Sequence, residues 1–260
     1  MKRIESANQR PSEGLTREIQ NFWTRNVNAE SILGKRITEF ERGSHEYFQD
    51  LENQRYRSHR HLLPWITAMK KNCSVLEIGC GIGLDSFLMA KHGLRLTSID
   101  LTHIAVKTAS ERFCRGQLDT DFVVADAENL PFPDQCFDYV YSFGVLHHVS
   151  DTERSLDEVY RVLKKNGEAR VMLYNRISLN ELVHQLTRIP FEDADEVCPV
   201  ARRFTKAEVR KMMARFSQVT MELKYAFGEG YGILFRIIPG WLYDLVSRYF
   251  GWHIMIIAVK

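Results

Sequence analysis

An α/β fold built on a mainly parallel sheet is predicted by three features of this 260-residue chain. Between Ser74 and Tyr174, short apolar runs rich in Val, Ile, Leu and aromatic residues alternate with longer runs of helical spacing, the pattern of strands joined by right-handed crossovers. A loop with glycines at Gly79, Gly81 and Gly83 joins the first of these strands to the helix that follows. Acidic residues then recur at the ends of the next two strands, Asp100 and Asp126. In open α/β sheets that edge is where ligands bind.

In chain order, the opening segment MKRIESANQRPSEG is polar and charged and reads as a frayed tail without the apolar core of a secretory signal. LTREIQNFWTRN and HEYFQDLENQRYRSHRHLLPWITAM read as helices; in the second, Tyr47, Phe48, Leu51, Gln54 and Arg55 follow helical rather than strand spacing. Strands are expected near 74–78, 95–99, 121–124, 138–143 and 168–174. Three pairs have the spacing of a capping box that opens a helix: Ser150 with Glu153, Ser178 with Glu181, and Thr205 with Glu208. Gly167 is expected in the turn before the fifth strand, and the acidic stretch FEDADEVCPVAR reads as a loop. SQVTMELKYAF and WHIMIIAVK then read as two closing strands, with the aromatic segment GEGYGILFRIIPGWLYDLVSRYFG between them as a helical pair.

The glycine loop carries the first functional signal. Spacing G-x-G-x-G lets the backbone turn sharply and lets a ligand lie against bare main chain, because glycine has no Cβ to block either. It differs from the dinucleotide fingerprint G-x-G-x-x-G, whose third glycine falls one residue later. A carboxylate at the tip of the second strand, Asp100, is placed to hold the two hydroxyls of a ribose. Asp126 and Glu128 follow the third strand, where an ionised carboxylate can accept from an adenine amino group. Each acid taken singly also reads as an exposed strand-end charge or helix cap.

Together, EIGCGIG, SIDLT, ADAENLPFPDQCFDYV and FGVLHHV resemble class I S-adenosylmethionine-dependent methyltransferases, most of all the small-molecule group that includes the ubiquinone and menaquinone biosynthesis enzymes (methyltransferase type 11). The resemblance is dense from Ser74 to Arg176 and thin outside. It implies a Rossmann-like sheet of seven strands whose last strand runs antiparallel between its neighbours. It also implies an N-terminal helical extension or lid over 1–70 and a methyltransferase domain over 71–260, with helical insertions at about 178–215 and 228–250. The implied cofactor is S-adenosyl-L-methionine, released as S-adenosyl-L-homocysteine. By the same resemblance Glu77, Gly79, Cys80, Gly81 and Gly83 line its methionine and ribose portion. Asp100 takes the ribose hydroxyls, Leu101 lies against adenine, Asp126 and Ala127 flank adenine, and Phe143 approaches the methionyl end. Asp85 departs from the small residue common in that part of the loop and reads as a helix cap outside the site.

For the transfer itself, His147 is the candidate base, since it follows the fourth strand at the ligand edge and imidazole titrates near neutral pH; packing is its alternative role, and His148 is a weaker candidate. Tyr174, Asn175 and Arg176 follow the fifth strand and should face the pocket or begin the next turn. From the N-terminal helices Trp23, Tyr47, Tyr56 and Arg57 could close over the cofactor, with Arg57 or a tyrosine on its carboxylate, though Trp23 reads first as a packing residue. His59 and His61 read as solvent-exposed, and no metal site is expected.

Composition agrees with one α/β domain carrying appendages: 45% of residues are apolar and 26% charged. A net charge of +2 with dispersed basic residues excludes the basic stripe of a nucleic-acid binder, and Arg55, Arg57, Arg60, Arg202 and Arg203 read as solvated helix faces. Five cysteines without C-x-x-C or zinc spacing suit reduced thiols in a cytoplasmic protein. The apolar C-terminal part is interrupted by Arg236, Pro239, Gly240, Asp244 and Arg248, so no transmembrane segment is expected. It reads instead as packing on the sheet, a wall over an apolar acceptor, a contact in a homo-oligomer or a membrane-touching surface. The leading expectation is O- or C-methylation of a small acceptor such as a secondary metabolite, quinone, lipid or sugar. A non-catalytic cofactor-binding partner or regulatory subunit is the alternative, and a nucleotide-dependent oxidoreductase is disfavoured by the glycine spacing and the closing strands.

Overall fold

The computed structural model describes residues 13–27, 38–187, 198–228 and 237–260. Three helices come first, α1 (Glu13–Arg25), α2 (His45–Ser58) and α3 (Leu62–Thr67). There follow β1 (Ser74–Ile78), α4 (Leu84–Lys91), β2 (Arg95–Asp100), α5 (His103–Arg115), β3 (Asp121–Val124), β4 (Phe137–Phe143), α6 (Thr152–Val162) and β5 (Leu163–Tyr174). The chain closes with α7 (Leu179–Thr187), α8 (Lys206–Met212), β6 (Gln218–Lys224), α9 (Gly240–Phe250) and β7 (His253–Val259).

The seven strands form one sheet in the order β3-β2-β1-β4-β5-β7-β6. The first five pair in parallel, and β7 inserts antiparallel to both β5 and β6. This is the seven-stranded arrangement that the sequence resemblance implied. Its register places Tyr174, His253 and Lys224 side by side at one end. That end carries the carboxyl termini of β1 to β5, so the start of β7 joins the ligand edge.

Side chains alternate across the strands. Leu76, Ile78 and Val140 pack on one face under α6 (Leu156, Val159, Val162) and α8 (Val209). Val75, Leu96, Tyr139 and Tyr141 pack on the other with Ile66 of α3, Met89 of α4 and Phe113 of α5. Burial on both faces explains why the strands read as near-continuous apolar runs.

Several local expectations are corrected. The second N-terminal run divides at His59–His61, because Pro64 in the first turn of α3 has no N–H to continue a helix entering from α2. β5 begins at Leu163 rather than near 168; its pairing with β4 jumps from Leu163 to Glu168, and Asn166 in the intervening stretch has φ 62°. At α6 the cap is Asp151, whose carboxylate accepts from the Arg154 N–H at 3.0 Å, while Ser150 turns away to Glu128. The Ser178 hydroxyl accepts from the Glu181 N–H at 3.0 Å, but the Glu181 carboxylate turns to Gln185 and Arg203, so only half of that box forms. Thr205 and Glu208 form the full reciprocal box. Asp85 does not cap α4, whose N-cap is Gly83. The expected tail at 1–12, most of the acidic loop (191–197) and residues 229–236 of the expected helical pair lie outside the described residues; α9 is the part of that pair that is described. Among the described residues no helix is long and apolar enough to cross a membrane.

The capping geometry at α8 makes a direct prediction. Thr205→Ala removes an acceptor for the Glu208 N–H, and urea unfolding should show a loss of about 0.5–2 kcal/mol with unchanged m-value.

Candidate functional site

A cavity of about 1340 Å³ opens along the carboxyl edge of the sheet, with residues of α1 and α2 also on its wall. At its base the glycine loop leaves β1. Gly79 has φ 81°, and a Cβ placed there would stand 2.1 Å from a Val145 methyl. Gly83 has φ 79°, and its Cβ would stand 3.0 Å from that of Ala109, so the loop can lie this close to β4 and α5 only as glycine.

Two buried carboxylates flank this loop. One Asp100 oxygen accepts from the Gly81 N–H at 3.0 Å, and the other accepts from the Thr102 N–H and hydroxyl at 2.9 Å each. Burial pushes the Asp100 pKa up against these bonds. Glu77 accepts from the Ser86 hydroxyl and, at 2.7 Å, from the Ser98 hydroxyl. Its burial, reinforced by the nearby Asp85 charge, pushes its pKa up to about 7 against those hydrogen bonds.

Asp85 anchors the other side. Its carboxylate takes both prongs of the Arg55 guanidinium, at 2.8 and 2.5 Å, and accepts from the hydroxyls of Tyr141 at 2.7 Å and Tyr56 at 3.1 Å. Burial alone would raise the Asp85 pKa, but Arg55 outweighs it and holds the pKa below the ordinary value. The same pairing raises Arg55 in spite of its own burial. Both groups are therefore ionised, and the Arg55 guanidinium also lies 5.1 Å over the Phe143 ring.

Of the residues singled out from sequence, Glu77, Gly79, Cys80, Gly81, Asp100, Leu101, Asp126, Ala127, Phe143 and Arg57 all line the cavity, Arg57 at its exposed rim. Four do not. Gly83 shapes the loop from behind. Tyr47 is buried against Phe48 and Leu51, and the Tyr56 hydroxyl meets the site through Asp85 and the Leu84 carbonyl. His147 is wholly buried, its ring centroid 3.7 Å from that of Tyr174. Burial, with the adjacent His148, pushes its pKa well below the ordinary value, so the expected base is enclosed and neutral.

The second-choice residues divide. Tyr174, His148 and Trp23 line the cavity; the His148 Nδ1–H donates to the Val200 carbonyl at 2.6 Å. Asn175 is a turn residue, donating to the Gly251 carbonyl at 2.8 Å, and Arg176 lies outside on Glu208. His59 and His61, expected in solvent, are half-buried, because β7 and the residue after β6 close over them. Arg55 and Arg202 likewise leave the expected solvated class: Arg202 donates to the carbonyls of Val149 and Ser150. Sequence reasoning missed the roles of Asp85, Arg55, Tyr225, Trp252 and His253. Only Asp85 left a signal, as a charge where a small residue was expected. Among the described residues no group of three or more His, Cys, Asp or Glu side chains could hold a metal ion.

Comparison with known proteins finds matches over the same central part of the chain. Residues 76–171 match the family described as a methyltransferase domain. Phosphoethanolamine N-methyltransferase 1 of Zea mays is 33% identical over 41% of this chain and 21% of its own length. A sterol 4-C-methyltransferase of Caenorhabditis elegans is 28% identical over 51% of this chain and 40% of its own length. The chain thus spans less than half the length of these relatives. Among solved structures, the magnesium protoporphyrin IX methyltransferase of Synechocystis, crystallised with bound SAH, superposes with a TM-score of 0.61 over 93% of this chain and 98% of its own, at 13% identity. That likeness is one of fold.

Burial of Glu77 has a consequence for stability. An acid whose pKa rises from 4.5 to about 7 on folding adds stability below pH 4.5 that is lost as pH climbs through 7. Glu77→Gln removes that dependence, so its stability relative to the parent should improve between pH 5 and 8, by on the order of 3 kcal/mol, in denaturation curves taken across that range.

Proposed function

From a chain whose residues 76–171 form a methyltransferase domain, we propose an enzyme that moves the methyl group of S-adenosylmethionine to a small, partly apolar organic acceptor. The observation that carries this reading is the continuity of one cavity from the Gly79–Gly81 loop and Asp100 to a compartment of aromatic side chains beyond Phe143. The donor set suits the cofactor. Asp100 offers two acceptor oxygens beside bare glycine backbone, as a ribose diol requires, and Asp126, Ala127 and Leu101 form a small pocket for a planar base. On the methionyl side, Glu77, Asp85 and Arg55 bring the opposite charges that an amino-acid zwitterion needs.

A sulfonium methyl is already activated, so this chain's work is to hold the acceptor in line and keep water out; positioning of that kind supplies roughly 7–11 kcal/mol. In our reading α1 to α3 form a lid over a domain that begins near residue 71. Gln20 of α1 donates to the Leu101 carbonyl at 2.8 Å, and Arg55 of α2 is bound to Asp85, so both helices close onto the cofactor side. Asn180 and His184 of the first expected insertion, Gly228 at the start of the second, and Tyr225 after β6 wall the acceptor side. The rings of that wall favour O- or C-methylation of a metabolite, quinone or lipid over a charged acceptor. A non-catalytic cofactor-binding subunit would share the loop and Asp100 but need no second compartment.

Calorimetric titration with S-adenosylhomocysteine tests the reading. The parent protein should bind with micromolar affinity, and Asp100→Ala should weaken binding by about 100-fold or more, the loss of two hydrogen bonds to a charged acceptor. A folded parent protein that does not bind would overturn it.

A further inference from the structure

Helix α9 carries apolar residues on two faces, and only one of them serves the fold. Inward, Tyr243 and Val246 pack with Ala226, Phe227 and Ile238, and with Leu179 of α7. The Tyr243 hydroxyl donates to the Phe227 carbonyl at 2.9 Å, and the Ser247 hydroxyl accepts from the Ala226 N–H at 3.1 Å. Outward, Trp241, Leu245 and Tyr249 recur every fourth residue and so share one stripe, with Ile237 preceding it at the same interval. Trp241 is 71% exposed and Tyr249 61%.

The stripe belongs to a larger apolar surface. Among the described residues, eight of the eleven large hydrophobic side chains that are exposed stand on α7 or α9 or within three residues of them. On α7 they include Leu182 and Leu186, one helical turn apart. At about 200 Å² for each fully exposed side chain, the eight present roughly 1,000 Å². Monomers rarely expose a continuous apolar patch above a few hundred Å², whereas a stable dimer buries about 800 Å² on each partner. The area is that of a subunit interface.

Charge decides the occupant. Asp244 and Arg248, both exposed, flank the stripe on one side, and neither makes an ion pair among the described residues. One acid against one base is not the basic excess that draws a helix to an anionic bilayer. It suits a self-complementary surface, in which each charge meets its opposite on a second copy. Closed dimers are two-fold and isologous. Two α9 helices laid antiparallel about an axis at Leu245 set Trp241 against Tyr249 of the second copy and Leu245 against its own counterpart. Asp244 then stands one residue to one side of the axis, and Arg248 of the second copy three residues to the same side and on the same flank. That offset is only about 3 Å along the helix, within reach of an arginine. A parallel pairing would carry the two flanks to opposite sides and leave all four charges unmatched.

We propose that α9, with the exposed face of α7 beside it, is the interface of a homodimer. Two copies pair antiparallel along Trp241, Leu245 and Tyr249, and Asp244 of each copy pairs with Arg248 of the other. This interface does not depend on the methyltransferase reading.

Sedimentation velocity of the full chain from about 1 to 100 μM tests it, with circular dichroism melts to identify folded variants. The parent protein should dimerise with micromolar or tighter affinity. Leu245→Glu, which sets two carboxylates face to face on the axis, should weaken the dimer by about 100-fold or more. Asp244→Arg and Arg248→Asp should each weaken self-association about tenfold, and an equimolar mixture of the two should recover it, because every like-charge pair then becomes an opposite one. These two substitutions lie at exposed positions and test the register even where Leu245→Glu does not fold. A parent protein that stays monomeric, including one that sediments instead with phosphatidylglycerol vesicles, would overturn the proposal. So would a dimer untouched by Leu245→Glu in the folded variant, or a mixture of the charge variants that fails to pair.

Discussion

The buried ion pair between Arg55 and Asp85 ties the parts of this site together. Asp85 stands in the first turn after the glycine loop, Arg55 on α2, and the two tyrosines that share the carboxylate come from α2 and β4. One carboxylate thus joins the N-terminal helices to the sheet beside the glycine loop, on the wall of the cavity. Removing one partner of such a pair leaves an uncompensated buried charge at about 3–5 kcal/mol, whereas an intact pair adds little net stability. The pair also fixes geometry, holding the guanidinium 5.1 Å over the Phe143 ring.

The same constraint governs the histidines. Because Arg55 is held at the cavity wall, its carbonyl is available to His59, and its charge bears on the rings nearby. Burial then does the rest, keeping His59, His61, His147 and His253 uncharged. Of these, His59 and His253 border the cavity, whereas His147 has a packing role between Tyr174 and His148. Closeness to a strand end was therefore a poor guide to which imidazole meets a ligand. The backbone after β4 turns His147 inward and leaves Gly144, Val145 and His148 on the wall.

Much of the glycine-loop end of the cavity was legible because its information is local. Glu77, the glycines and Asp100 occupy strand ends and the turn between a strand and a helix, and residue type there follows from backbone conformation and from which edge of the sheet the chain has reached. The order of strands and helices was legible for the same reason, since apolar periodicity reports the element directly. Small errors had equally local causes. At α6 two adjacent residues, Ser150 and Asp151, could each cap, and the choice was made by Glu128, whose carboxylate accepts from the Ser150 hydroxyl and the Asp151 N–H.

The chain by itself determined the parallel α/β order, the glycine loop and the acids beside it, because each depends on neighbours a few residues away. Only the tertiary structure decided the ring-lined end of the cavity. His59, Phe143, Tyr225 and His253 come from α2, β4, the residue after β6 and the start of β7, and nothing in their sequence spacing relates them. They meet because β7 enters antiparallel between β5 and β6, which turns its first residue toward the edge where the parallel strands end. Asp85 could be read as a helix cap until the fold brought Arg55 to it. The environment of a buried charge is set by whatever packs against it, and that is a property of the whole chain.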